Sequence, residues 1–126
     1  MTAATQELGA LGERQAEQWL VRSGWRILSR RFRSGHRDID LVAERDTDGS
    51  RTIAFIEVKT RTSNSFGGPI AAVHWRKQRE ISRAARDWMS KFRRPGENYR
   101  FDVIAVTHGT GVRPEIIHLE NAFLVR

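Results

Sequence analysis

FIEVKTR, residues 55–61, is the stretch on which the reading of this chain turns. Phe55, Ile56 and Val58 have the apolar, β-branched or aromatic character of a buried strand. Glu57 and Lys59 interrupt that run two residues apart, so their side chains point to the same face. An ion taken out of water costs several kcal/mol or more unless it is partnered. A carboxylate and an ammonium side by side at the end of an interior strand are therefore either a structural ion pair or a site.

Working outward, Thr52–Lys59 is apolar on both faces, with Ile53 and Phe55 on one and Ala54, Ile56 and Val58 on the other. That is the pattern of a central strand covered on both sides. Upstream, DIDLVAE (38–44) reads as a strand and RDTDGS as the turn of an antiparallel hairpin. A further strand is expected over 25–32 and a helix over 5–23, with Leu8, Leu11, Gly12, Ala16, Trp19 and Leu20 on one stripe and Gly24 as its stop. Gly9, Gly12 and Ala16 leave a flat spot on that stripe where another element can come close. Downstream, the polar loop TRTSNSFGGP leads into a helix over 70–92, with Val73, Ile81, Ala84, Ala85, Trp88, Met89 and Phe92 on its apolar side. YRFDVIAVT (99–107) and EIIHLE (115–120) complete the set. The order αβββαββ predicts an α/β fold, a mixed sheet flanked by helices.

At 126 residues, the chain is read as one domain spanning 1–126. An apolar fraction of 39% with 29% charged residues fits a globular protein. No apolar run approaches the roughly 18 residues of a membrane span, so no membrane partner is expected. The N-terminal MTAATQELGALGERQ lacks the basic-then-apolar layout of a signal peptide, and the expected location is the cytoplasm. The absence of cysteine excludes disulfides and thiolate metal sites. Lys and Arg outnumber Asp and Glu by 22 to 15, a net charge of +7. That balance favours a polyanionic partner, chiefly nucleic acid.

Hydrolysis of a phosphodiester with a divalent metal needs hard oxygen ligands and a cation to stabilise charge on the phosphorus. Glu57 and Lys59 supply one of each. The hairpin brings Asp40 alongside as a second carboxylate, giving the spacing D-(x)16-E-x-K. Two carboxylates converging in a desolvated pocket raise their joint apparent pKa, and Lys59 offsets only part of that.

With these residues in place, the chain resembles the PD-(D/E)XK nuclease superfamily and its restriction-endonuclease-like fold. More closely, it is similar to the bacterial YraN-type proteins, relatives of archaeal Holliday-junction resolvases. The resemblance rests on GERQAEQWLVRSGW, DIDLVA, FIEVKTR, FGGP, the lysine of WRKQREISRAA, RFDVIAV and the closing NAF, in that order. It implies that Asp40, Glu57 and the Val58 carbonyl hold Mg²⁺ or Mn²⁺, that Lys59 is catalytic, and that Glu13 joins the metal site. The implied substrate is DNA, with branched or junction DNA to the fore. Where the family reads G-E-I-D-L this chain has Arg37-Asp38-Ile39-Asp40-Leu41, which keeps Asp40 but replaces the glycine and the first glutamate.

A helical-wheel count places Glu13 at the edge of the apolar stripe beside Leu20, facing the end of the sheet; the alternative is a solvated residue paired with an arginine. Lys77 lies on the stripe of the second helix, either snorkelling past the core or reaching a phosphate. Arg61, just after the E-V-K run, is either a phosphate contact or a solvated loop arginine. Asp102 is expected to pair with Arg100 or to cap local structure, with a role in the site as the alternative. The four histidines show no metal-ligand spacing. Cutting a symmetric junction twice needs two sites, so a homodimer goes with the junction reading. A nuclease fold that binds nucleic acid or a partner without cutting is the alternative function.

Overall fold

A computed structural model describes residues 3–62, 75–109, 111 and 113–123. Helix α1 (Ala3–Arg22) leads into a sheet of β1 (Arg26–Ser34), β2 (Arg37–Thr47) and β3 (Ser50–Thr62); helix α2 (Trp75–Phe92) then connects to β4 (Glu97–His108) and β5 (Glu115–Phe123). The order is the one expected, αβββαββ. The loop over 63–69 and the start of the second helix at 70–74, Val73 included, lie outside the described residues.

The strands lie in sequence order, β1-β2-β3-β4-β5. Only β3 and β4 run parallel, joined through α2; every other neighbouring pair is antiparallel. The mixed sheet follows from the length of the connections, since a parallel pair needs a crossover of a dozen or more residues while antiparallel pairs close through tight turns. Asp48 and Gly49 form the β2–β3 turn, both with positive φ (51° and 80°), between the paired residues Thr47 and Ser50. Such a two-residue turn matches the twist of its strands. Strands β2 and β3 consequently run further toward that turn than the sequence indicated.

Helix α1 stops where Gly24 (φ 91°) predicts. Trp25 N–H donates to the Leu20 carbonyl at 2.9 Å and Gly24 N–H to that of Val21 at 3.2 Å, the pair of bonds that closes a helix through a left-handed glycine.

Each face of the sheet carries its own core. On the α2 side Ile53, Phe55, Phe101 and Val103 pack with Ile81, Ala84, Ala85 and Trp88. On the α1 side Ala54, Ile56, Val58, Ile104 and Val106 pack with Ala16, Leu20 and Trp25. Strand β3 is thus covered on both faces, as its two-sided apolar pattern requires. Leu11 and Phe92, expected in the apolar stripes, are 37% and 50% exposed; Phe92 is the last residue of α2. On α1 the close approach falls at Gly12, where a Cβ would meet Thr60 Oγ1 of β3 at 1.9 Å, whereas nothing lies within 4 Å of such an atom at Gly9.

Candidate active site

The β2–β3 ladder ends at the couple Leu41 and Ile56. Continued by one step, it would set Asp40 opposite Glu57. Instead the Asp40 carboxylate takes the place of a backbone acceptor, and Val58 N–H donates to Asp40 Oδ2 at 2.8 Å. The alternation of β2 breaks at the same point. Ile39 and Val42 both face the α2-side core, while Leu41 faces the other. The two strands therefore part at Asp40, and the gap between them opens at Glu57.

Glu57 lies on the α2 face with Phe55 and is almost wholly buried. One of its oxygens, Oε1, stands 3.6 Å from Lys59 Nζ and 4.0 Å from Lys77 Nζ. The other, Oε2, is shut from water without a hydrogen-bond partner. Burial raises the Glu57 pKa, with Lys77 and then Lys59 opposing. At Asp40, burial and next the Glu57 charge push the carboxyl up to about 8, against the pull of the Val58 N–H bond. Two acids are held together here under conditions that disfavour both charges.

The acids open onto a cavity of about 690 Å³ lined also by Glu13, Arg31, Val58, Lys59 and Thr60. Asp40, Glu57, Val58, Lys59 and Glu13 thus border one space, and Lys77 reaches it from α2 through Glu57. Lys77 neither snorkels to open water nor stands apart from the acids; it faces a carboxylate. Glu13 lines the cavity, and its Oε2 pairs with Arg31 at 3.1 Å. Among the described residues, no group of three or more acidic or histidine side chains is arranged to hold a metal ion. The donors that fit a hard cation are Asp40, the orphaned Oε2 of Glu57 and the neighbouring Val58 carbonyl. Arg61 is half-buried two residues beyond Lys59 on the same strand.

Arg31 is the charged cavity residue that sequence reasoning missed. It lies on β1 opposite Asp40, between the couples Arg30–Leu41 and Phe32–Ile39, and holds φ at 49°. A left-handed residue other than glycine costs about 1 kcal/mol or more and is uncommon within a strand. Such conformations cluster at functional sites. No sequence signal marks it, because the irregularity arises from the register of β1 against the break in β2.

Asp102 lies away from the cavity. It is fully buried and pairs with Arg100 at 3.1 Å, as expected. It also meets His118 Nε2 at 2.7 Å and accepts from Asn121 N–H at 2.9 Å, tying β5 to β4. His36 is exposed, and His74 lies outside the described residues.

Fold and site together define a class: an α/β protein with a mixed five-stranded sheet whose parted strands hold two acids, Glu57 buried and Asp40 half-buried, beside two lysines. The profile described as "Uncharacterised protein family UPF0102" matches residues 12–106, a span from the close-packed Gly12 to Val106 of β4. The chain is 48% identical over 118 residues to a UPF0102 protein of Trichlorobacter lovleyi, covering 94% of this chain and 91% of that one. It is 46% identical over 123 residues to a UPF0102 protein of Geobacter metallireducens, covering 98% and 97%. To one of Chlorobaculum parvum it is 45% identical over 127 aligned positions, covering 97% and 95%. The chain belongs to the UPF0102 family. Among the described residues, no helix is long and apolar enough to cross a membrane.

Proposed function

We propose that this protein is a metal-dependent nuclease that hydrolyses DNA phosphodiesters, with branched or junction DNA as the favoured substrate. The observation that carries the reading is Glu57. Its carboxylate is buried, one oxygen faces two ammonium groups, and a second acid, Asp40, stands beside it. A structural ion pair leaves no reason for a second acid beside it; a divalent-cation site supplies one.

Asp40, Glu57 and the Val58 carbonyl are the residues to hold Mg²⁺ or Mn²⁺, oxygen donors of the hardness these ions select. Bound there, the ion supplies Lewis-acid stabilisation of phosphate charge and acidifies water. Lys59, at the mouth of the cavity, places a positive charge where negative charge develops on the phosphorus and orients the attacking water by hydrogen bonding. Lys77 balances part of the Glu57 charge. It and Arg61 are the cations assigned to the flanking phosphates. Positioning two cuts across a symmetric junction calls for a homodimer, which sedimentation with and without junction DNA measures.

A second reading, a nucleic-acid-binding module that does not cut, is favoured by one feature: Glu13 is engaged with Arg31 rather than directed at the acids. A nicking assay on plasmid, single-stranded and junction DNA with Mg²⁺ or Mn²⁺ separates the two. The nuclease reading expects cleavage by wild type and a loss of about 100-fold or more in Glu57→Gln and Lys59→Ala. Undiminished cleavage by both variants would refute the assignment of the site. No cleavage of any substrate by wild type leaves the binding reading in its place.

A further inference from the structure

Helix α2 turns its apolar face inward, with Ile81, Ala84, Ala85 and Trp88 buried. Its outward face carries Arg76, Arg79, Arg83 and Arg86, all exposed. The spacing of three, four and three residues sets them on one stripe. From Arg76 to Arg86 the helix rises about 15 Å. Over that length a nucleic-acid strand carries about four phosphates, at one per ~3.4 Å along the axis.

An aromatic residue heads the stripe. Trp75 is 55% exposed, and the guanidinium carbons of Arg76 and Arg79 each lie 5.7 Å from its ring centroid. Arg37 of β2 joins them around a hollow of about 220 Å³, in which Glu80 is the one carboxylate against four arginines among the described residues. The Arg37 Nε is closed off from water and has no hydrogen-bond partner. This hollow adjoins the candidate site through both elements that build it: Lys77 reaches Glu57, and Arg37 stands three residues before Asp40 on the same strand.

We infer that a nucleic-acid strand lies along the outward face of α2, its phosphates on the arginine stripe and an unpaired base stacked on Trp75 beside the Asp40–Glu57 cavity. Charge complementarity selects the partner, and Trp75 selects the unpaired base. Aromatic faces accept any base that is free of its complement, and guanidinium groups serve phosphates through a planar fork. An anionic membrane is the weaker occupant, because a surface helix binds lipid through its apolar face, and that face of α2 is committed to the core. The substrate class that fits is duplex DNA with a single-stranded segment at the site, such as a flap, a tail or an open junction. The inference rests on the nucleic-acid part of the reading above but not on cleavage.

The test is fluorescence anisotropy of the full chain in EDTA with a labelled single strand, a blunt duplex and a tailed duplex, each through a salt series. Arg79→Ala/Arg83→Ala should lower the log–log salt slope by about 1.5, two phosphates at ~0.7–0.9 each. Arg14→Ala/Arg22→Ala removes the same charge from exposed positions on α1, across the sheet, and should leave the slope unchanged. Trp75→Ala should weaken binding to the tailed duplex about tenfold and to the blunt duplex little. Trp75→Leu, which keeps apolar bulk without the ring face, should behave alike and covers a Trp75→Ala chain that melts early. Equal losses in the two arginine doubles would reduce the effect to net charge and overturn the inference. So would unchanged binding in the α2 double, or equal effects of the Trp75 changes on tailed and blunt DNA. Loss of binding to phosphatidylserine-rich vesicles with DNA binding intact would assign the stripe to a membrane instead. Because these readings need no metal, a protein that binds in this manner but never cuts refutes only the nuclease assignment.

Discussion

Asp40→Asn removes an ionisable carboxyl from the parted strands while keeping an oxygen to accept the Val58 N–H bond. The Asp40 carboxyl is raised from 3.8 to about 8 in the fold, first by burial and then by Glu57. Between those two values the native state binds more protons than the unfolded chain, so wild-type stability falls as pH rises through that window. At neutral pH the fold carries an ionisation penalty of about three units, and at ~1.4 kcal/mol per unit the ceiling is about 4 kcal/mol. The cavity is open to water and lysines are near, so solvent screening lowers the expectation to roughly half of that ceiling, about 2 kcal/mol. For a chain of this size that is roughly 8 °C in melting temperature, at about 4 °C per kcal/mol. The assay is thermal melting of both proteins in EDTA across the acid-to-neutral range. The variant should melt close to wild type near the low end of the window and progressively above it toward the high end. Parallel curves, or a variant less stable than wild type at the upper end, would refute the claim that Asp40 is held against its own charge.

Three further outcomes follow from the packing. Gly12→Ala drives a Cβ into Thr60 Oγ1 and should destabilise by about 1–3 kcal/mol; adding Thr60→Ala should restore part of that in urea denaturation. Asp102→Ala strands Arg100 and His118 against a buried void and should lose about 3 kcal/mol or more, with no change in metal binding. Arg31→Gly should be more stable than Arg31→Ala by about 1 kcal/mol, since only glycine adopts the left-handed backbone there without strain; equal melting temperatures would mean that the strand relaxes around the alanine.

Much of the fold is legible in local pattern. The two-sided apolar run of β3, the Asp48-Gly49 turn and the Gly24 stop each state their structure through nearest neighbours. Ladder position is different. That Asp40 falls at the point where β2 leaves β3 depends on registers between strands, and so does the left-handed Arg31 opposite it. The link from Asp102 to His118 spans 16 residues and is equally invisible to local pattern. The pairing of Asp102 with Arg100, two residues away on one strand face, was readable for the opposite reason. The convergence of Asp40 with Glu57 was legible because a hairpin joins their strands. The approach of Lys77 to Glu57 was not, because it depends on how α2 crosses the sheet.

The central claim is that the Asp40–Glu57 pair is a divalent-cation site. Anomalous diffraction from a crystal soaked in Mn²⁺ tests it most directly. One strong peak is expected at coordinating distance from both carboxylates and the Val58 carbonyl oxygen, absent from Asp40→Asn crystals treated alike. No peak between the two acids, or a peak there that persists undiminished in the variant, would contradict it.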